Sequence, residues 1–334
     1  MHSRRLGTSP LEAPVVAFGA WAIGGWAWGG ADDAQAIAAL RAGIDAGIRA
    51  IDTAPMYGFG HSEVVVGRAL AGHPSPAQVW TKVGLRWDDD RGAHFFDTTG
   101  PDGAPRTVHR NLRPDSVRLE VERSLERLGR PALDLVQCHW PDPSTPVEET
   151  MAALAQLHEE GLVGAIGVSN FSPELLERSR RALAERGLPL ASTQPRYSLL
   201  DRAIEADVLP WCRDHRVGVV AYSPLAQGLL TGTITLDRTF PDGDLRGTRP
   251  GFDRERRRRV LDALDQAGDI AAAHDATLAQ LAIAWVVAQP GVTAAIVGAR
   301  TPSQARENAA AGELTLSGAE ARTLGGLLAA VDAD

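Results

Sequence analysis

The chain has 334 residues, 44% of them hydrophobic and 23% charged, and carries a net charge of −8. That length suits one α/β barrel as a single unit, and the acidic balance argues against a nucleic-acid footprint. No run approaches the ~20 apolar residues that a membrane helix requires, so no membrane partner is expected.

In chain order, the opening residues have no apolar stretch of the kind a secretory signal needs. Residues 4–11 read as a hairpin plugging one end of the fold. An apolar run at 15–18 precedes a helix that begins at Asp32 and Asp33, carries Ile37, Leu40 and Ile44 on one face, and stops at Gly47. Strands follow at 50–52 and 79–82, then a stretch at 84–113 rich in Gly, Asp, Pro and Thr that reads as a long loop. A helix opens at Pro114 and Asp115 and presents Val117, Val121, Leu125 and Leu128 before Gly129. Strands at 134–138 and 165–168 lead to a helix begun by Ser172 and Pro173. Two more strands, at 191–194 and 218–222, precede a second long loop at 229–252 and a helix from Asp253. The arginines at 254–259 spread around that helix, which makes them a solvated face. Trp285 lies on an apolar helical face with Leu281 and Val286 and is assigned to the core. The last strand, at 294–297, is followed by a short helix capped by Thr301, Pro302 and Ser303. Eight strand-then-helix units predict a (β/α)8 barrel spanning residues 1–334 as one domain, with an N-terminal hairpin and long loops at the C-terminal mouth. Cys138 and Cys212 each fall in an apolar segment, so buried free thiols and a cytoplasmic location are expected.

The polar residues that end these apolar strands carry the chemistry, because strand ends converge on one mouth in such a barrel. Asp52 ends the second strand, with Tyr57 in the loop beyond, Lys82 ends the third, and the fourth runs into His139. Ser169 and Asn170 close the fifth, Gln194 the sixth, and Tyr222 and Ser223 the seventh. Taken singly, Asp52 reads equally well as a turn cap and Lys82 as a solvent-reaching side chain. Together, a phenol, an ammonium, a carboxylate and an imidazole form a coherent acid. A tyrosine of ordinary pKa near ~10 is a poor donor at neutral pH, and a lysine cation beside it is expected to lower that value. The aspartate holds the lysine, and the histidine orients a carbonyl. No histidine shows metal-ligand spacing with cysteine or with another histidine, so no metal is expected.

The motifs that carry these residues resemble the aldo-keto reductases. The matching text is 47–58 (GIRAIDTAPMYG) with Ser62, Glu63, Val66 and Gly67, then Thr81 and Lys82, 133–142 (LDLVQCHWPD) and 164–171 (GAIGVSNF). The runs 19–25 (GAWAIGG) and 222–230 (YSPLAQGLL) are similar to the bacterial general-stress and inositol-operon branch, which is related to the potassium-channel β-subunit-like reductases. The resemblance implies a catalytic tetrad of Asp52, Tyr57, Lys82 and His139. It further implies reduction of an aldehyde or ketone with NADP(H), NAD(H) being the weaker alternative. Ser169, Asn170 and Gln194 would hold the nicotinamide carboxamide and Tyr222 would stack on its ring. Ser223, Pro224, Leu225, Gln227, Gly228 and Leu230 would run beside the diphosphate, while Ala20, Trp21 and Asp52 would lie against the cofactor. Gly298 and Arg300 would receive a 2′-phosphate, and Gln304, Glu307 and Asn308 the adenine side. Many members have arginine in place of Gln304 and lysine in place of Gly298, which weakens strict NADP preference. Trp21, Trp28, Tyr57, Trp87 and Trp140, with Trp26 near them, are expected to wall the substrate pocket. Two other readings remain open: a channel-type subunit that senses redox state through bound NADP(H), and a barrel aldolase using Lys82 as a Schiff-base former. The complete tetrad favours the reductase over the first, and Asp52 beside Lys82 disfavours the second.

Overall fold

The computed structural model describes residues 1–332. Its strands, in chain order, are β1 (Ser3–Arg5), β2 (Glu12–Pro14), β3 (Val16–Gly19), β4 (Ala50–Asp52), β5 (Gln78–Val83), β6 (Leu85–Arg86), β7 (Ala93–Thr99), β8 (Pro105–Arg110), β9 (Leu133–Cys138), β10 (Val163–Ser169), β11 (Ser192–Gln194), β12 (Gly218–Tyr222) and β13 (Val292–Gly298). Eight of them close a barrel in the order β3-β4-β5-β9-β10-β11-β12-β13 and back to β3. Every barrel pairing is parallel, as crossovers through helices require. The (β/α)8 barrel expected from the sequence is therefore the observed fold.

Small residues and one large one fill the lumen. Ala17, Ala50, Ala165, Ala191 and Ala294 leave room for the indole of Trp80, which is fully buried among them with Leu135 and Val220. The β1–β2 hairpin closes the lower end, with Leu6 and Leu11 packed into the same cluster. Outside the strands, the helices bury their apolar stripes against the barrel wall. Side-chain caps start several of them where the sequence places them: Asp32 for Asp33–Asp45, Ser172 for Pro173–Ala184, Asp253 for Arg254–Gln266 and Thr301 for Pro302–Ala310. Gly129, at φ +63°, ends Pro114–Leu128 in the left-handed conformation that glycine adopts without cost. Trp285 is core, as expected, and its Nε1 donates to the Ala321 carbonyl at 2.8 Å. Cys138 and Cys212 are buried and unpaired.

One expectation needs correction. Residues 84–113 are not a structureless loop: β6, β8 and β7 form an antiparallel sheet standing beside the barrel mouth. Its inner side carries Phe95 and Phe96 into an apolar cluster with Met56, Leu85 and Val108. By contrast, 229–252 is largely irregular, with short 3-10 turns at Leu245–Gly247 and Pro250–Phe252. Among the described residues, no helix is long and apolar enough to cross a membrane.

Candidate active site

Strand periodicity builds the site. Side chains two residues apart on a strand share a face, so each lumen-filling residue is followed, one layer nearer the mouth, by another inward side chain. Ala50 is followed by Asp52, Trp80 by Lys82, Leu135 by Gln137 and Val220 by Tyr222. The register sets Lys82 opposite Gln137 and Ser169 opposite Gln194. Four residues far apart in the chain thus meet at one level.

Lys82 Nζ donates to Asp52 Oδ1 at 2.5 Å and to the Thr53 carbonyl at 2.9 Å. Gln194 Nε2 donates to Asp52 Oδ2 at 2.8 Å and to Gln137 Oε1 at 3.2 Å, and Gln137 Nε2 lies 3.5 Å from the same carboxylate oxygen. Above this buried pair, Lys82 Nζ is 4.8 Å from the centroid of the Tyr57 ring. The His139 imidazole stands edge-on to that ring at 5.7 Å and 82°. The four residues nominated from the sequence are together. Gln137 was not nominated. It lay inside the 133–142 motif, but its inward direction is visible only once Leu135 is known to fill the lumen.

Tyr57 sits in a turn rather than on a strand, and backbone proximity holds that turn. Its N–H donates to Ala54 O at 3.1 Å, and its carbonyl accepts from Ser62 N at 3.1 Å. A Cβ on Gly58, which has φ +66°, would come 2.2 Å from the Gly24 carbonyl oxygen, so only glycine allows this approach of the first mouth loop. Ser62 Oγ completes the join by donating to Ala20 O at 2.8 Å. Beneath, Glu63 is fully buried and accepts from Thr81 Oγ1 and Arg127 Nε, both at 2.6 Å. Its charge is among those that favour the Lys82 ammonium.

Burial dominates the electrostatics. It pushes the Asp52 carboxyl up and the Lys82 ammonium down, and each is held charged mainly by the other. The Tyr57 phenol is pushed well above its ordinary range, by burial first and by the Asp52 charge second. This corrects the expectation that Lys82 lowers it: burial and the Asp52 charge outweigh the ammonium. The His139 imidazole lies well below its usual range, through burial and then the Lys82 charge, so it is neutral at neutral pH. The site holds a neutral phenol, a neutral imidazole and an internal ion pair.

The remaining nominated residues divide. Ser169 Oγ donates to Gln194 O at 2.7 Å, and Asn170, at φ +61°, donates from Nδ2 to the His139 carbonyl at 3.1 Å while accepting from Tyr222 Oη at 3.1 Å. Gln194 therefore holds Asp52, a role the sequence did not show. The segment from Ser223 to Gly228, just after β12, contains four residues at positive φ, Ser223, Ala226, Gln227 and Gly228. Such mixed-handed runs, costly for non-glycine residues, are the kind of backbone that cradles anions. At the end of β13, Arg300 donates to the carbonyls of Trp28 at 3.2 Å and Gly30 at 2.8 Å, and Gln304 Oε1 accepts from the Arg300 N–H at 2.8 Å. Glu307 accepts from Thr277 Oγ1 at 2.7 Å, and Asn308 Nδ2 holds the Gly298 carbonyl at 3.1 Å. The first mouth loop is further tied across to the long loop after β12, through a Trp28–Asp244 backbone bridge and the Arg246 guanidinium 4.9 Å from the Trp28 ring.

The aromatic wall falls into two groups. Trp21 lies 6.1 Å from Tyr57 at 30° and 5.3 Å from Trp28, edge to face. Trp87 packs instead on Phe59 at 5.2 Å and Trp140 on Phe95 at 5.3 Å, with Trp26 stacked against Phe96. Among the described residues, the buried indole N–H of Trp28 has no hydrogen-bond partner, a donor left without an acceptor. That orphan and the anion-cradling loop both fit a dinucleotide laid across the mouth.

Residues 15–328 match the family described as the aldo/keto reductases. The chain belongs to the aldo/keto reductase family. Among its relatives, the aldo-keto reductase YhdN of Bacillus subtilis is 38% identical over 307 residues, covering 91% of this chain and 86% of that protein. The NADH-specific methylglyoxal reductase of Escherichia coli is 41% identical over 322 residues, 95% of each chain. A solved glycerol dehydrogenase of Gluconobacter oxydans superposes with a TM-score of 0.86 at 40% identity, covering 99% of this chain and 96% of the other. As in this aldo/keto reductase family, the chain is an oxidoreductase acting on carbonyl and alcohol groups of small molecules with a nicotinamide cofactor.

Proposed function

We propose that the chain works as one barrel unit, an NADP(H)-dependent carbonyl reductase in which Tyr57 protonates the carbonyl oxygen as the alcohol forms. The observation that carries this reading is the buried Asp52–Lys82 pair 4.8 Å beneath the Tyr57 ring, with His139 edge-on beside it. The nicotinamide, when bound, supplies the hydride. Tyr57 holds its proton firmly and releases it only to a developing alkoxide, a far stronger base than a resting carbonyl. Lys82 stabilises the phenolate left behind, and Asp52 keeps Lys82 charged and in place. The neutral His139 orients the carbonyl oxygen towards the phenol. Ser169, Asn170 and the Tyr222 ring would hold the nicotinamide end, and the loop from Ser223 to Leu230 the diphosphate. Trp21, Trp28 and Trp140 would close the pocket on a small aldehyde or ketone. Lys82 is poorly placed for Schiff-base chemistry, since its ammonium is committed to Asp52 and Thr53.

Arg300 supports NADP(H), because its guanidinium stands at the end of β13 beside a helix N-terminus. The E. coli relative named NADH-specific makes this the point to test. Oxidation of NADPH and of NADH is measured over a panel of aldehydes and ketones that includes methylglyoxal. Turnover is expected, with kcat/KM favouring NADPH by about tenfold, the worth of one charge-assisted contact. An equal or reversed preference removes the role given to Arg300, and an absence of turnover with either cofactor rejects the reductase reading.

The titration directions fix a pH profile. Because the Tyr57 phenol is raised and the His139 imidazole lowered, neither changes charge across the neutral range. Carbonyl reduction is expected to stay flat there. Alcohol oxidation needs the phenolate as base, so its rate should climb steadily into the alkaline range. A reduction rate that falls through neutrality would show that one of these two groups titrates there.

A further inference from the structure

Three arginines to which the proposed reaction gives no role line one pocket. A cavity of about 170 Å³ lies between the segment after β11 and the loop after β12, lined by Arg196, Asp201, Gln227, Arg249 and Arg256 among others. Ala226, Gln227 and Leu229 of that loop also line it, whereas no residue from β13 or the helix beyond it does, so the cavity does not reach the end of the mouth where Arg300 and Gln304 stand. Arg196, bridged to Tyr222 through the backbone, forms an ion pair with Asp201, Nε to Oδ2 at 2.8 Å. Arg249 is half-buried; it donates from Nη1 to Gln227 Oε1 at 3.1 Å, and among the described residues it has no carboxylate partner. Arg256 donates to the Gly251 carbonyl at 3.2 Å at the edge of the same cavity, one turn into Arg254–Gln266.

A half-buried guanidinium facing another cation is unfavourable unless an anion sits between them. The Arg249 guanidinium is indeed pushed down, by burial and then by the Arg196 charge. Guanidinium forks match phosphate oxygens in pairs, and the 13-residue helix adds the positive end of its dipole. Size selects further. At roughly 30 Å³ per water the cavity holds a phosphate group, whereas whole-ligand pockets begin at about 300 Å³ and a dinucleotide does not fit.

We propose that this pocket is a phosphate site separate from the cofactor's, taking inorganic phosphate or the phosphate of a small monoester. The inference stands apart from the reductase reading, since binding to the free chain reports on it without turnover. Inorganic phosphate and glycerol 2-phosphate are each titrated calorimetrically into the full chain, alone and with saturating NADP⁺, whose own binding is followed by fluorescence. One site is expected, retained in the presence of NADP⁺ and weakened about tenfold or more in Arg249→Gln and in Arg196→Gln, with melting curves unchanged. Binding of either probe supports the site, and the comparison between them tells free anion from ester. Loss of phosphate binding on adding NADP⁺ to the unaltered chain would make the pocket part of the cofactor's own track and overturn the proposal, whatever the variants do. So would an absence of phosphate binding, or binding untouched in both variants.

Discussion

Tyr57→Phe is expected to bind NADPH as tightly as the unaltered chain and to reduce carbonyls about a hundred- to ten-thousand-fold more slowly, the usual worth of one positioned acid. The substitution removes one oxygen and leaves the ring, so the contacts with Trp21 and His139 survive and the fold has no reason to change. The loss should fall on kcat, because a proton donated only as the alkoxide develops contributes little to substrate binding. Single-turnover oxidation of bound NADPH checks this. A fall in KM-related binding with kcat preserved would assign Tyr57 to the pocket wall rather than to proton transfer.

Lys82→Met should abolish turnover to a similar degree and should also destabilise the chain. The side chains are close in length, so the loss is electrostatic. With the ammonium gone, the Asp52 carboxyl keeps only Gln194 and Gln137 as partners in a sealed lumen. An unpartnered buried charge costs about 3–5 kcal/mol unless it takes up a proton. Burial already raises Asp52 with Lys82 present, so in the variant its folded pKa stands further above the unfolded value. A raised acid favours the folded state at low pH and loses that favour as pH rises through the folded pKa. The variant should therefore melt higher in acid than at neutrality, relative to the unaltered chain. Asp52→Asn combined with Lys82→Met should restore the melting temperature while leaving turnover absent. Recovery of activity in the double variant would show that the pair is structural only.

How much of this was legible in the sequence follows from periodicity. The barrel was, because short apolar runs alternate with helical stripes and several helices carry their own cap, as at Asp32 and Ser172. The gathering of Asp52, Tyr57, Lys82 and His139 at the mouth was, because Asp52 and Lys82 end apolar strands where a charge needs a reason. What the sequence hid were facts about direction and partnership. Gln137 looks like any polar residue in a motif until the β9 register turns it inward beside Leu135. Phe95 and Phe96 lie in a strand flanked by Gly, Asp and Thr, so turn-forming composition masked the sheet that carries them. Arg300 was expected to receive a 2′-phosphate, and the sequence did not show that two carbonyls of a loop some 270 residues away also engage it. The Tyr57 shift was misjudged because residue types told that an ammonium and a carboxylate were near, and only the structure showed that burial outweighs the ammonium.

The central claim is that these side chains converge on one reacting carbonyl above a nicotinamide ring. The most direct measurement is a crystal structure of the chain with NADP⁺ and a carbonyl inhibitor. The nicotinamide is expected against Tyr222, with the inhibitor oxygen within about 2.6–3.2 Å of Tyr57 Oη, hydrogen-bond reach for an acid. A nicotinamide lying elsewhere, or an inhibitor oxygen far from Tyr57, would contradict it.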